Sequence, residues 1–280
     1  MSSTHQFAIQ ARLRYHIQPA GWVLLNLAVA QCGNQRVIRE SLLNSVGLPF
    51  REQLAPDSLT RFHGVTIPSG PFEVTYEAEV ERTDGAFTGP WEPVEASLVD
   101  LPVNVARFLY PSRYCESDKL VRLAAKQFGS LMPGHSRVAA ICNWIYERIE
   151  YLPGATDEHS SAVDCLISGA GVCRDFSHLG IAFCRALGIP ARYGSAYVHQ
   201  LPNPDFHAFF EVWLGDRWWY YDATRLAPQA GFILIGTGHD AGDTSVATMS
   251  AGVQFESMEI HVQKLSTGDP AYTTSPISFE

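Results

Sequence analysis

Gly169-Ala170-Gly171-Val172-Cys173-Arg174-Asp175-Phe176-Ser177-His178 is the stretch that decides how this chain is read. Its glycines permit a sharp turn and a close backbone approach. Cys173 then opens the apolar run Leu179, Ile181, Ala182, Phe183 and Leu187, so the thiol is expected at a helix N-terminus. Unpaired N–H groups and the helix dipole there favour the thiolate, which is the nucleophilic form. Downstream, Asp205-Phe206-His207-Ala208-Phe209-Phe210-Glu211-Val212-Trp213 reads as a strand carrying a histidine. Arg217-Trp218-Trp219-Tyr220-Tyr221-Asp222-Ala223-Thr224 reads as the next strand, ending in a carboxylate. Cys173, His207 and Asp222 follow the order of a thiol triad, in which a nucleophile needs a general base and the base needs a group that holds its tautomer.

Working outward, the 280 residues suffice for one large domain or two modest ones. A hydrophobic content of 46% against 18% charged residues excludes a disordered chain. A net charge of −9 argues against nucleic acid or an anionic membrane as partner. The opening Met1-Ser2-Ser3-Thr4-His5-Gln6 has neither a basic nor an apolar leader segment, and no apolar run is long enough to span a bilayer. Six cysteines over this length, with no C-x-x-C pair, suggest neither a disulfide scaffold nor structural zinc. The expectation is a cytoplasmic protein without metal or cofactor.

Odd positions from Phe7 to Ile17 are apolar and most even ones polar, the period-2 signature of a half-buried strand. Further strands are expected over 21–30, 59–67 and 72–80, the last two joined by the turn Pro68-Ser69-Gly70-Pro71. Beyond about residue 105 the period changes. Helices are expected over 117–128, from 136 through Ile149, over 162–166, and from Cys173 to a stop at Gly188-Ile189-Pro190. Strands then follow over 191–199, 206–214, 218–222, 231–236 and 253–264. Together these predict an α+β protein, a small antiparallel β domain over 1–108 preceding a catalytic domain over 109–280.

Each candidate has a plainer reading. A cysteine is usually a small buried hydrophobe, as expected of Cys184 on the apolar face of its helix. A strand histidine is usually structural, and Asp222 could simply end a strand. A metal site built from Cys165, Cys173, His159 or His178 has no standard zinc spacing.

The motifs Pro111-Ser112-Arg113-Tyr114, Gly171-Val172-Cys173-Arg174-Asp175, Cys184 through Tyr193, His207-Ala208 and Asp222-Ala223-Thr224 resemble the transglutaminase-like superfamily, in its bacterial branch of transglutaminase-like enzymes and cysteine proteases. The resemblance covers roughly residues 110 to 245. It implies a papain-like α+β transglutaminase core with Cys173 as nucleophile, His207 as base and acid, and Asp222 as orienting carboxylate. Phe209-Phe210 stands where that family usually has a tryptophan soon after the histidine, Ala223 where it usually has proline, and His239 where an arginine is usual. Those departures bear on the substrate pocket, not on the reacting groups. Trp144 or Tyr151 is a candidate second oxyanion donor, as in the wider superfamily. Asp175, His178 and His239 are candidates to line the substrate, each with a capping, local or loop role as alternative.

The expected activity is hydrolysis of an amide or peptide-like acyl donor through a thioacyl enzyme. Transfer of the acyl group to an amine, or a non-catalytic binding protein on the same fold, are the alternatives. Calcium is not expected, since no Asp-x-Asp-x-Asp-Gly loop is present.

Overall fold

The computed structural model describes residues 4–56, 59–87, 89, 92–268, 272–273 and 275–280; the first three residues of the expected leaderless start lie outside them. Strands β1 (Thr4–Ile17), β2 (Gly21–Leu25), β3 (Gln35–Asn44), β4 (Arg51–Leu54), β5 (Arg61–Ile67) and β6 (Gly70–Thr83) come first. After a short α1 (Val103–Ala106) come α2 (Ser117–Phe128), α3 (His135–Arg148), β7 (Glu150–Tyr151), α4 (Ala162–Ser168), β8 (Ala170–Gly171) and α5 (Cys173–Ala186). Strands β9 (Ala191–Val198), β10 (His207–Leu214), β11 (Arg217–Tyr221), β12 (Phe232–Gly238), β13 (Ala247–Met249) and β14 (Val253–Lys264) complete the chain.

Three four-stranded antiparallel sheets result, in the orders β14-β1-β6-β3, β13-β2-β5-β4 and β11-β10-β9-β12, with β7 and β8 forming a parallel pair. The alternation read in β1 is real: Phe7, Ile9, Ala11, Leu13, Tyr15 and Ile17 are all buried. They share one apolar core with Val23, Leu25, Val65, Val74 and Tyr76 of the neighbouring strands. The boundary expected at residue 108 follows chain order, whereas the sheets do not. β13 and β14 lie far beyond it yet pair with β2 and β1, with Leu13 opposite Met258 and Ile9 opposite Val262. Antiparallel pairing is indifferent to sequence distance once both apolar faces meet one core.

Two strands within 35–54 were not expected, because their pattern carries no clean period. β3 is largely exposed and β4 entirely so, each at a sheet edge where its partner strand, not its own burial, fixes the pairing.

The third sheet carries the site. Every residue of β9 is buried, because the sheet is covered on both faces. Phe210, Val212, Trp219 and Tyr221 face the helices and pack with Phe176, Leu179 and Phe183 of α5. Phe209, Tyr220 and Phe232 face the other way, against Ala30, Ile277 and Phe279. Gly180 lets α5 lie close on this sheet, since a Cβ there would stand 2.6 Å from the Phe210 ring. Double coverage explains the near-continuous apolar strands, and it buries α5 almost throughout beyond its first turn.

Candidate active site

The turn before Cys173 is assembled from the glycines at either end of β8. Gly169 ends α4 in the left-handed conformation, at φ 68°, and Gly171 leaves room for Asp175, whose Cβ would lie 2.7 Å from a Cβ at 171. Asp175 is fully buried. Its Oδ2 accepts the Val172 N–H at 2.8 Å and the Thr156 hydroxyl at 2.5 Å, while Oδ1 accepts from the Arg174 guanidinium at 3.1 Å. Arg174 also donates to the Asp157 carbonyl at 2.5 Å. The carboxylate therefore caps α5 and, with Arg174, pins the loop over 152–161 beside the helix start. Expected as a substrate-lining residue, Asp175 instead has its oxygens taken by the protein itself.

Cys173 is half-buried at the first position of α5, and the Ser177 hydroxyl donates to its carbonyl at 2.8 Å. Burial pushes Cys115 and Cys165 up to about 12 and Cys184 well above its usual range. Cys32, half-buried, is likewise raised to about 12 by burial and then by the charge of Glu211.

His207, at the first position of β10, is 2% exposed. Its Nε2 lies 3.0 Å from Asp222 Oδ2, just past the end of β11, and the Cys173 side chain is near enough to the ring to act on its charge. With Nε2 given to the carboxylate, Nδ1 is the nitrogen available to sulfur. Burial by itself pulls the imidazole down; the charge and hydrogen bond of Asp222, then Cys173, outweigh it and raise the ring to about 10. Phe232 meets the ring edge-on at 5.2 Å and restricts its tilt. Asp222 is itself held: Thr224 donates its N–H to Oδ1 at 2.9 Å and its hydroxyl reaches Oδ1 and Oδ2 at 2.8 and 2.9 Å. Thr224 was part of the motif that carried the resemblance, but an Asx-type turn gives its role only once the strand end is seen.

The two oxyanion candidates separate. Tyr151 is paired with Gly171 across β7 and β8, which brings its phenol close enough to Cys173 for the two to act on each other's charge. Burial, then the neighbouring thiol, raises this phenol's pKa. Trp144 packs edge-on against Phe183 at 5.2 Å and Phe128 at 6.1 Å. Phe183 is about 15 Å along α5 from Cys173, so Trp144 is a core side chain remote from the thiol.

His178 and His239 also lie elsewhere. His178 is fully buried, stacked on Tyr114 at 5.2 Å, and its Nε2 accepts the Ala241 N–H at 3.1 Å. Burial drives its pKa down to about 3, so it is a neutral tether for the 239–245 loop and not a substrate-lining group. His239 pairs through Nδ1 with Asp243 at 3.1 Å and rests on Phe108. Its carbonyl takes Arg185 at the far end of α5, and it borders a cavity of about 370 Å³ with Arg107, Thr237 and Asp243. Successive turns of α5 point in different directions, which sequence proximity to Cys173 does not reveal.

Residues 121–223 match the transglutaminase-like superfamily. A crystal structure from Cytophaga hutchinsonii, of a protein assigned provisionally as a cysteine protease, is 36% identical and superposes with a TM-score of 0.95, covering 100% of this chain and 99% of that one. An uncharacterized protein of Mycobacterium leprae is 33% identical over 148 residues, 49% of this chain. The chain thus spans about half the length of that relative, 52%. An uncharacterized Mycobacterium tuberculosis protein is 28% identical over 212 residues, 66% of this chain and 67% of its own length. Sequence match and whole-chain superposition agree with the α+β core built above: the chain belongs to the transglutaminase-like superfamily.

Proposed function

We propose that this protein is a cysteine-dependent hydrolase, of protease or amidase type, that cleaves an amide or peptide-like acyl donor. Cys173 is the nucleophile, His207 the base and then the acid, and Asp222 the carboxylate that orients and charges the ring. The observation that carries this reading is the buried His207–Asp222 pair at 3.0 Å with the half-exposed thiol of Cys173 near the ring.

A ring held cationic beside a thiol stores the proton removed from sulfur, so the thiolate attacks the carbonyl carbon. As the C–N bond breaks, the imidazolium gives that proton to the leaving amine. The thioacyl enzyme remains. Water then attacks the thioester while His207 takes a proton from it, and the acid and free thiol are released. The tetrahedral oxyanion is met by the Cys173 backbone N–H at the positive end of α5 and by the Tyr151 hydroxyl, which already shares that corner. Thr224 keeps both Asp222 oxygens occupied, so the carboxylate does not rotate away from Nε2.

The test is a mass measurement. Incubation with an activated acyl donor is expected to add one acyl group on Cys173 in the wild type and none in Cys173→Ala with its fold intact. Amide cleavage surviving in Cys173→Ala would overturn the reading.

A further inference from the structure

Asp222 has two neighbourhoods. One is the His207 ring, which receives its Oδ2 at Nε2. The other is a cavity of about 670 Å³ between α3 and the end of β11. Asp222 lines this cavity, and neither His207 nor Cys173 does. The ring nitrogen available to sulfur is Nδ1, so a space that touches the carboxylate but not the ring lies behind the pair, away from the thiol. Its volume is within the roughly 300–1,000 Å³ of small-molecule sites, and the chemistry proposed above does not use it.

Ala139 and Cys142 of α3, Tyr221 of β11 and Ala227 of the following loop give the cavity an apolar wall. Asn143 and Arg225 add a polar patch. Arg225 donates from Nη2 to Asn143 Oδ1, and its guanidinium lies 4.4 Å over the Tyr146 ring, so the cation is positioned from two sides. Its Nε and Nη1 have no partner among the described residues, and no carboxylate there pairs with it. Asp222 does not supply the counter-charge, because its oxygens are taken by His207 and Thr224. An apolar wall beside a fixed cation with open N–H donors fits an anion that carries an apolar body.

We propose that this cavity is a binding site for a small organic carboxylate, with the apolar body of the ligand against Tyr221 and α3 and its carboxylate on Arg225. The site goes beyond the proposed hydrolase activity and stands without it. An acid gains a charge-assisted hydrogen bond there, whereas a neutral molecule of the same shape gains only burial.

The test is calorimetric binding to the full chain of 3-phenylpropanoate and 2-naphthoate beside their neutral amides. The acids are expected to bind about tenfold more tightly than the amides, and Arg225→Asn to bring acid and amide to one affinity. Asparagine suits the left-handed backbone at 225, where φ is 56°, so this variant removes the cation without straining the turn. Arg225→Lys is expected to restore part of the preference. Amides that bind as tightly as acids, an acid affinity unchanged in Arg225→Asn, or no binding at millimolar concentration overturns the inference. Carbamidomethylation of Cys173, verified by peptide mass, is expected to leave the affinity unaltered. Binding lost on that block overturns a separate site, since the acids would then occupy the cleft of the thiol. Labelling of Cys173 no faster than that of the buried cysteines counts against the nucleophile alone, and the acid-to-amide ratio still decides the site.

Discussion

Tyr151 and Gly171 stand opposite each other in the parallel β7–β8 pair, and this register brings the phenol near the thiol that follows two residues later. The pairing is held by backbone bonds on both sides, Glu150 N–H to the Gly169 carbonyl at 2.8 Å and Leu152 N–H to the Gly171 carbonyl at 2.9 Å. Tyr151→Phe keeps the ring and removes the donor. Acylation is expected to slow about 100-fold, with little change in alkylation of Cys173 by a neutral reagent. Single-turnover kinetics against an alkylation time course make the comparison; an unchanged acylation rate assigns Tyr151 to the cleft wall alone.

The pH dependence follows from His207. Its folded pKa, raised to about 10 by Asp222 and Cys173 against the opposing effect of burial, exceeds the value of about 6.5 for a free histidine. The protonated ring therefore stabilises the fold in full below about pH 6.5, and that contribution is lost as pH rises through about 10. Urea midpoints are expected to decline across this window in the wild type and to decline less in Asp222→Asn. The same variant is expected to lose about 10³- to 10⁴-fold in acylation rate. A wild-type midpoint that rises towards alkaline pH would reverse the assignment of charge.

Thr224 isolates the orientation of the acid. In Thr224→Val the hydroxyl contacts to both Asp222 oxygens disappear while the backbone N–H bond to Oδ1 remains. A fall of about tenfold in kcat with KM unchanged is expected, partly restored by Thr224→Ser. A change confined to KM would instead place Thr224 against the substrate.

Asp175 carries stability. Asp175→Ala removes the partner of the Val172 N–H, the Thr156 hydroxyl and Arg174 in a fully buried position. Unpaired donors left in the interior are expected to cost about 2–4 kcal/mol, read as a lower urea midpoint. A midpoint within error of wild type would show that water replaces the carboxylate.

Gly180 tests the packing of α5. Gly180→Ala brings a methyl 2.6 Å from a rigid aromatic ring, and overpacking there is expected to destabilise by about 1–3 kcal/mol. Because α5 carries Cys173, calorimetry should find a lower Tm together with a slower acylation rate.

The sequence by itself determined most of the buried elements and the order in which the candidate groups occur. Period-2 alternation in β1 and β6, the glycine stop after α5, and the placement of Cys173 at a helix start are local properties, set by steric and solvation preferences of a few adjacent residues. Side-chain identity likewise named Cys173, His207 and Asp222. Only the tertiary structure decided which residues share space. It paired β14 with β1, placed Tyr151 and not Trp144 near the thiol, and turned His178 away into an aromatic stack. Helical rotation, strand pairing across long loops and burial on two faces at once are set by packing the whole chain, and a linear pattern holds no record of which surface an apolar or ionisable side chain will meet.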